Sequence, residues 1–160
     1  GLSSFNSNPS ISNMNDVIKA LNSEFDTTSG FFADIWSSKL TESLNQQDSL
    51  KVEIDNAIVK NEFPLSGTAE ELEMVTRIMQ TREARGSKRD IFYLSDGGHD
   101  THSNVNLNQI NNFNRINGAI DAFVQEVKDL GLWHNTILVQ FSEFARTLNP
   151  NTGDGSDHGW

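Results

Sequence analysis

Apolar residues return every three or four positions along most of the chain, and in two short places they run together instead. The first periodic stretch carries Val17, Ile18, Leu21 and Phe25. Asn13 or Asn15 is placed to cap a helix there, the Ser/Asn-rich segment with Pro9 before it predicts an irregular lead-in, and Asp26 to Gly30 breaks it. The second stretch carries Phe31, Phe32, Ile35, Trp36, Leu40 and Leu44. Gln46 to Ser49 interrupts it, and a helix resumes over Leu50 to Lys60 through Ile54, Ala57 and Ile58, although Leu50, Val52 and Ile54 also alternate like a strand. The repeated aromatics predict a packed core.

Phe63-Pro64-Leu65 forms a linker. Beyond it Thr68 and Glu71 fit a capping box, and Leu72, Val75, Ile78 and Met79 give the next helix its apolar stripe. Arg77, Arg82 and Arg85 gather at the far end, where cations suit the carbonyl-rich terminus, and Gly86 can stop the helix. The longest stripe comes next, through Ile110, Phe113, Ile116, Ile120, Phe123, Val127 and Leu130, with Gly131 as its terminator.

The two continuous runs are Asp90 to Ser95 and Thr136 to Phe141, each short, bounded by turn-forming residues and rich in β-favouring side chains. Strand, long helix, strand is the β-α-β pattern, whose crossover length suits parallel pairing. In open α/β sheets the ligand site lies beyond the carboxyl ends of the strands. The segments immediately C-terminal to the two runs are therefore the place to look for chemistry.

The first run leads into Leu94 to Ser103, LSDGGHDTHS. The second leads into Ser142 to Thr147, SEFART, and then Ser156 to Trp160, SDHGW. Three of the four histidines, His99, His102 and His158, fall in these segments, and only His134 lies elsewhere. Carboxylate oxygens and neutral imidazole nitrogens together suit zinc, manganese or iron. Asp100 and His102 are two apart, so an extended loop projects both to one side. His99 and Asp96 are weaker candidates, and the Gly97-Gly98 pair permits a tight turn. The plainer alternative is a polar loop in which Asp100 caps the following helix.

Glu143 comes after a buried strand, where a carboxylate needs a cation or donor, and Arg146 three residues on could supply it. Asp157-His158-Gly159 is a short motif of little specificity. The segment Asn149 to Asp157 has the Asn, Asp and Gly of calcium loops but no downstream Glu, which favours a flexible surface loop. Neither a Gly-rich phosphate loop nor a Gly-x-Ser-x-Gly elbow is present.

At 160 residues the chain has the length of one ordinary domain. Its formal net charge of −10 repels phosphate backbones and argues against nucleic-acid partners, while it tolerates cations. No apolar run approaches the roughly 20 residues of a membrane span. A cysteine count of 0 removes disulfides and thiolate chemistry. Opening on Gly1 and stopping at Trp160 directly after a motif suggest a piece of a longer protein.

The succession IFYLSDGGHDTHSN, a long helix ending DLGLWHNT, ILVQFSEFART and GSDHG resembles a bacterial family, domain of unknown function 1501, placed with the alkaline phosphatase and sulfatase-like hydrolases. The resemblance covers Phe63 to Trp160 well and the preceding helices loosely. It departs at His99, where the family has an aromatic residue, and at Ala145, where it has glycine. The resemblance implies an α/β fold, a three-layer α/β/α sandwich with a mainly parallel sheet, of which this chain holds the C-terminal part. Residues 1–62 would be a helical segment packed on the domain, and residues 63–160 its β-α-β core. It further implies a divalent metal (zinc, manganese or calcium) held by Asp100, His102, Glu143, Asp157 and His158, and hydrolysis of small-molecule phosphate or sulfate esters. Export to the periplasm or exterior is also implied, with the rest of the parent chain or other subunits as protein partners. No nucleophile is identifiable. The alternative is a non-catalytic scaffolding or surface-assembly domain in which an ion only staples loops.

Overall fold

The computed structural model describes residues 9–22 and 30–159. They divide into two compact units, Gly1–Asn56 and Ala57–Trp160.

In the first unit, helix α1 spans Pro9–Leu21 and helix α2 spans Gly30–Asn56. Helix α1 starts at Pro9, whose fixed φ and missing N–H suit a first helical position, so Asn13 and Asn15 lie inside the helix rather than at its cap. Phe25 and Asp26 lie outside the described residues. Helix α2 runs unbroken through Gln46 to Ser49. Polar contacts along its own surface support that stretch, with Gln46 bonded to Glu42 and Ser49 Oγ to the Asn45 carbonyl. Leu50, Val52 and Ile54 are accordingly helical. The expectation of a packed aromatic core is overturned here: Phe31, Phe32 and Trp36 are exposed, Phe32 at 84%, and Ile54 is the buried residue of α2. The 13-residue α1 is about half the length of the 27-residue α2 and cannot cover its whole stripe. Lys19 of α1 forms an ion pair with Asp48 of α2.

The second unit is built on helices α3, Gly67–Gln80, and α4, Val105–Asp129. Their facing stripes form the core of Ala69, Leu72, Val75, Ala119, Phe123 and Val127, with Phe63, Phe92, Leu94, Leu132 and Trp133 packed around it. The alanines at 69 and 119, both fully buried, let the two backbones approach. The cap of α3 is Ser66, whose hydroxyl accepts from the Ala69 amide at 3.2 Å; Thr68 is turned elsewhere, so the capping box expected at Thr68 and Glu71 does not form. At the other end Arg85 bonds the Ile78 carbonyl and grips Asp90 through both terminal nitrogens, at 2.9 and 2.7 Å. Helix α4 ends at Gly131, whose φ of +70° reverses the chain. In the N-terminal part of α4, Ile110 and Phe113 are exposed.

Glu126 explains where the units divide. It is fully buried in α4, and its Oε2 accepts from the amides of Lys60 and Asn61 at 3.0 and 2.9 Å and from the Asn61 side chain at 2.8 Å. That carboxylate ties residues 57–62 to the second unit, so the helix expected to continue through Lys60 stops at Asn56.

The α/β/α sandwich expected from the resemblance is not what this chain forms. Among the described residues the sheet consists of two two-residue strands, β1 (Ala145–Arg146) and β2 (His158–Gly159), paired antiparallel. The runs Ile91 to Ser95 and Ile137 to Phe141 belong to no helix or strand, and neither makes a backbone–backbone hydrogen bond among the described residues. β-favouring side chains make a run suited to a strand; only a ladder partner makes it one. A 3-10 turn, Trp133–Asn135, connects α4 to the second run.

Candidate functional site

Two loops are laced together next to the start of α4. Asn104 and Val105 donate to the carbonyls of Gly153 and Asp154 at 3.2 and 2.9 Å, Ser156 N donates to the Thr101 carbonyl at 3.1 Å, and Ser103 and Asp154 form an isolated bridge. Gly155 permits this closeness, since a Cβ there would collide with the His102 carbonyl. Asn151 is the joint of the second loop. Its Oδ1 accepts from the amides of Gly153 and Gly155 at 2.9 and 3.0 Å, and its Nδ2 donates to the His102 carbonyl at 3.0 Å and to Asp157 at 3.2 Å. The β1–β2 register sets Arg146 opposite His158.

The result is a cluster centred on Asp100. Its Oδ1 lies 3.0 Å from His102 Nε2 and 3.0 Å from His158 Nε2, and it accepts from Arg146 Nη1. The other nitrogen of His102, Nδ1, is 3.4 Å from Asp157 Oδ1. The rings of His102 and His158 are 5.1 Å apart, and Phe144 packs on His158 at 4.4 Å. One ligand atom each from Asp100, His102 and His158 falls within 4.8 Å of the others. Ligand atoms on a tetrahedral ion with bonds of about 2.0–2.1 Å stand roughly 3.3 Å apart; the donor types suit such an ion, and the two Asp100–imidazole separations of 3.0 Å are close to that spacing. Arg146 is itself anchored, its Nε donating to Ser156 Oγ at 3.2 Å and its Nη2 to the Ser156 carbonyl.

Desolvation works against the ionisation of Asp100. The hydrogen bond from His158, the charge of His102 and the Arg146 guanidinium outweigh it and hold the carboxyl below its ordinary value. For Asp157, the Asn151 side-chain bond is the leading influence and lowers the carboxyl, reinforced by His102. Both acids therefore present carboxylates at neutral pH.

Of the residues expected to bind metal, Asp100, His102 and His158 converge, and Asp157 stands behind His102. Glu143 does not join them: it is exposed in the bend before β1. Arg146 pairs with Asp100 instead of Glu143. Asp100 is not a helix cap, because Asn104 occupies that position in a left-handed conformation with φ 46° and no side-chain cap bond. Sequence reasoning passes over Asn151, although an Asn two residues before Gly153 in a Gly/Asp-rich loop is the signature of a side chain that folds the backbone onto itself. His134 is exposed in the 3-10 turn, away from the cluster.

Asp96 and His99 serve a separate purpose. Asp96 accepts from both terminal nitrogens of Arg115 on α4, from Thr68 on α3, and faces His99 Nε2 at 2.9 Å. Arg115 is the leading cause of a carboxyl held far below the usual carboxylate range. Because the folded value is depressed, this stabilisation is complete above the unfolded value of about 3.9 and is lost as pH falls from there through the folded value. Asp96→Ala is expected to cost about 2 kcal/mol in urea unfolding at pH 7, and the gap from wild type should shrink towards pH 2. An equal gap at both pH values would contradict the assignment.

A family model described as "Protein of unknown function (DUF1501)" matches residues 13–160, and the chain belongs to that family. No curated protein and no solved structure gives a match to it. No helix of the described residues is long and apolar enough to cross a membrane.

Proposed function

We propose that the chain binds one divalent cation through Asp100, His102 and His158, and that this ion serves hydrolysis of phosphate or sulfate esters. The observation that carries the reading is the convergence of those three ligand atoms within 4.8 Å. Asp157 would orient His102 by holding its far nitrogen, an arrangement common behind metal-bound imidazoles. Three protein ligands leave a tetrahedral ion one open position, as catalytic rather than purely structural sites do. The side chains of Asp100, His102 and His158 are 51–57% exposed, so that position would face solvent and substrate.

When bound, the ion would supply Lewis-acid polarisation of an ester oxygen and a lowered pKa for attacking water. The chain's own residues have distinct tasks. A bound ion would need an unprotonated imidazole nitrogen from His102 and His158 and an ionised Asp100, and the Arg146 guanidinium beside Asp100 favours that carboxylate without either imidazole. Arg146, fixed through Ser156, holds a guanidinium against Asp100, and that positive charge would favour an anionic ester. Phe144 limits rotation of the His158 ring.

The test is turnover of p-nitrophenyl phosphate and p-nitrophenyl sulfate by the chain with zinc, manganese or calcium added. Metal-dependent release of nitrophenol that disappears in His158→Ala is the expected result. Tight metal binding without turnover of either ester would leave the site as a loop staple and sink the hydrolase reading.

A further inference from the structure

Asn151 lies in the Asn/Asp/Gly-rich loop from Asn149 to Asp157, and its side chain makes four hydrogen bonds that face two ways. Oδ1 accepts from the amides of Gly153 and Gly155 at 2.9 and 3.0 Å, both within its own loop. Nδ2 donates to the His102 carbonyl at 3.0 Å and to Asp157 Oδ1 at 3.2 Å. An amide oxygen offers two lone pairs and an amide nitrogen two hydrogens, so every bonding position of this group is filled. Asn151 therefore keeps no lone pair for a cation, despite lying in a loop of calcium-loop composition. Nor can the amide turn over. A flip would set nitrogen against two N–H donors, and oxygen against a carbonyl and a carboxylate.

The two nitrogen bonds meet at one residue. His102 is held directly at its backbone carbonyl, and its ring is held through Asp157, whose Oδ1 receives Asn151 and lies 3.4 Å from His102 Nδ1. We infer that Asn151 is the positioning residue of the Asp100, His102 and His158 cluster, fixing the backbone and the ring of His102 together from 49 residues along the chain. Its consequence for function rests on the cation reading above. His102 is the ligand that needs such a clamp. His158 is set by the β1–β2 pair and packed by Phe144, whereas His102 belongs to no helix or strand and has only the single Ser103–Asp154 bridge beside it. The demand is for asparagine itself. Glutamine carries the same amide on a longer stem, and aspartate keeps the shape but exchanges both donors for an acceptor.

Asn151→Asp separates positioning from charge and from loop folding. The variant keeps an oxygen for the Gly153 and Gly155 amides and sets its other oxygen against the His102 carbonyl and the Asp157 carboxylate. A charge effect alone would tighten cation binding, because a negative group is added near the ligands. Loss of positioning weakens it, and zinc affinity by calorimetry should fall about tenfold, the low end for partners of metal ligands. In the metal-free chain the amides of Gly153 and Gly155 should keep their wild-type hydrogen exchange, while the cross-loop amides of Asn104, Val105 and Ser156 should exchange faster. Asn151→Ala removes both sets of bonds, and all five amides should then exchange faster. Zinc binding by Asn151→Asp that is unchanged or tighter overturns the proposal, as does cross-loop exchange at the wild-type rate. Equal loss of glycine protection in both variants also overturns it, since Asn151 would then serve its own loop alone. The exchange measurement needs no metal, so a wild-type chain that takes up no zinc defeats the cation reading while the placement of His102 is decided separately.

Discussion

Asp100→Asn and His102→Ala are each expected to weaken zinc or manganese binding by roughly 100-fold or more, and Asp157→Asn by about tenfold, the low end of the 10–100-fold that supporting partners of metal ligands command. The ranking comes from the contacts of each atom. Asp100 Oδ1 is the one acceptor within 3.0 Å of both imidazole Nε2 atoms, so replacing it with an amide removes the negative charge that a cation would share. His102 is held from two sides, by Asp100 at Nε2 and Asp157 at Nδ1, and its loss leaves two ligands. Asp157 only steers His102, and Asn151 still steers the loop when it is gone. Calorimetric titration together with metal content by mass spectrometry measures all three. Unchanged stoichiometry in both Asp100→Asn and His102→Ala would remove the pair from the site. Glu143→Gln serves as the internal control, because the fold leaves Glu143 out of the cluster and its change should not move metal affinity.

Arg146 adds a competing effect in the same experiment. Its guanidinium already neutralises Asp100, and an incoming cation has to share that carboxylate with it. Asp100 has two oxygens, and Oδ1 carries the contacts to His102, His158 and Arg146, so Oδ2 is the atom through which sharing is cheapest. Cation affinity should therefore be modest for a three-ligand site, with the guanidinium contributing to anion recognition instead.

How much of this is legible in the residues depends on which interactions are local. The helices are legible because a 3.6-residue stripe records the buried face: Leu72, Val75, Phe123 and Val127 are the core. The α2 aromatics mislead for the complementary reason. Periodicity shows that a face could be buried, and Phe31, Phe32 and Trp36 are exposed because α1 offers too little surface to cover them. The two β-favouring runs form no strand among the described residues, since a ladder depends on a partner that a single run cannot specify. Asp100, His102 and His158 can be grouped because three of the four histidines fall at the ends of those runs, each within two positions of an acid. The scaffold that brings them together is different from the expected parallel sheet. Loop-to-loop bonds through Asn151, Gly155 and the β1–β2 pair perform that task. Glu126 escapes notice altogether, because a glutamate within a helical stripe looks like a surface residue unless its distant amide partners are known.

Glu126→Ala is expected to be among the most damaging single changes in the second unit, costing about 2–4 kcal/mol. Its Oε2 satisfies three donors from Lys60 and Asn61, and removing it strands backbone N–H groups where the side chain was fully buried. Glu126→Gln should cost less, because an amide oxygen can still accept from those donors while the charge is lost. Its Oε1 has no hydrogen-bond partner, so the native carboxylate is itself only half satisfied. That makes Glu126→Gln a sensitive comparison: the new amide nitrogen would meet the same apolar surroundings without adding a charge. Urea unfolding gives the overall cost, and amide exchange at Lys60 and Asn61 localises it. Faster exchange at those two amides in Glu126→Ala, with the amides of the Asp100 loop unchanged, is the pattern a local anchor produces. If the midpoint and both exchange rates stay at wild-type values, Glu126 does not hold residues 57–62 to α4, and the division of the chain at Asn56 needs another cause.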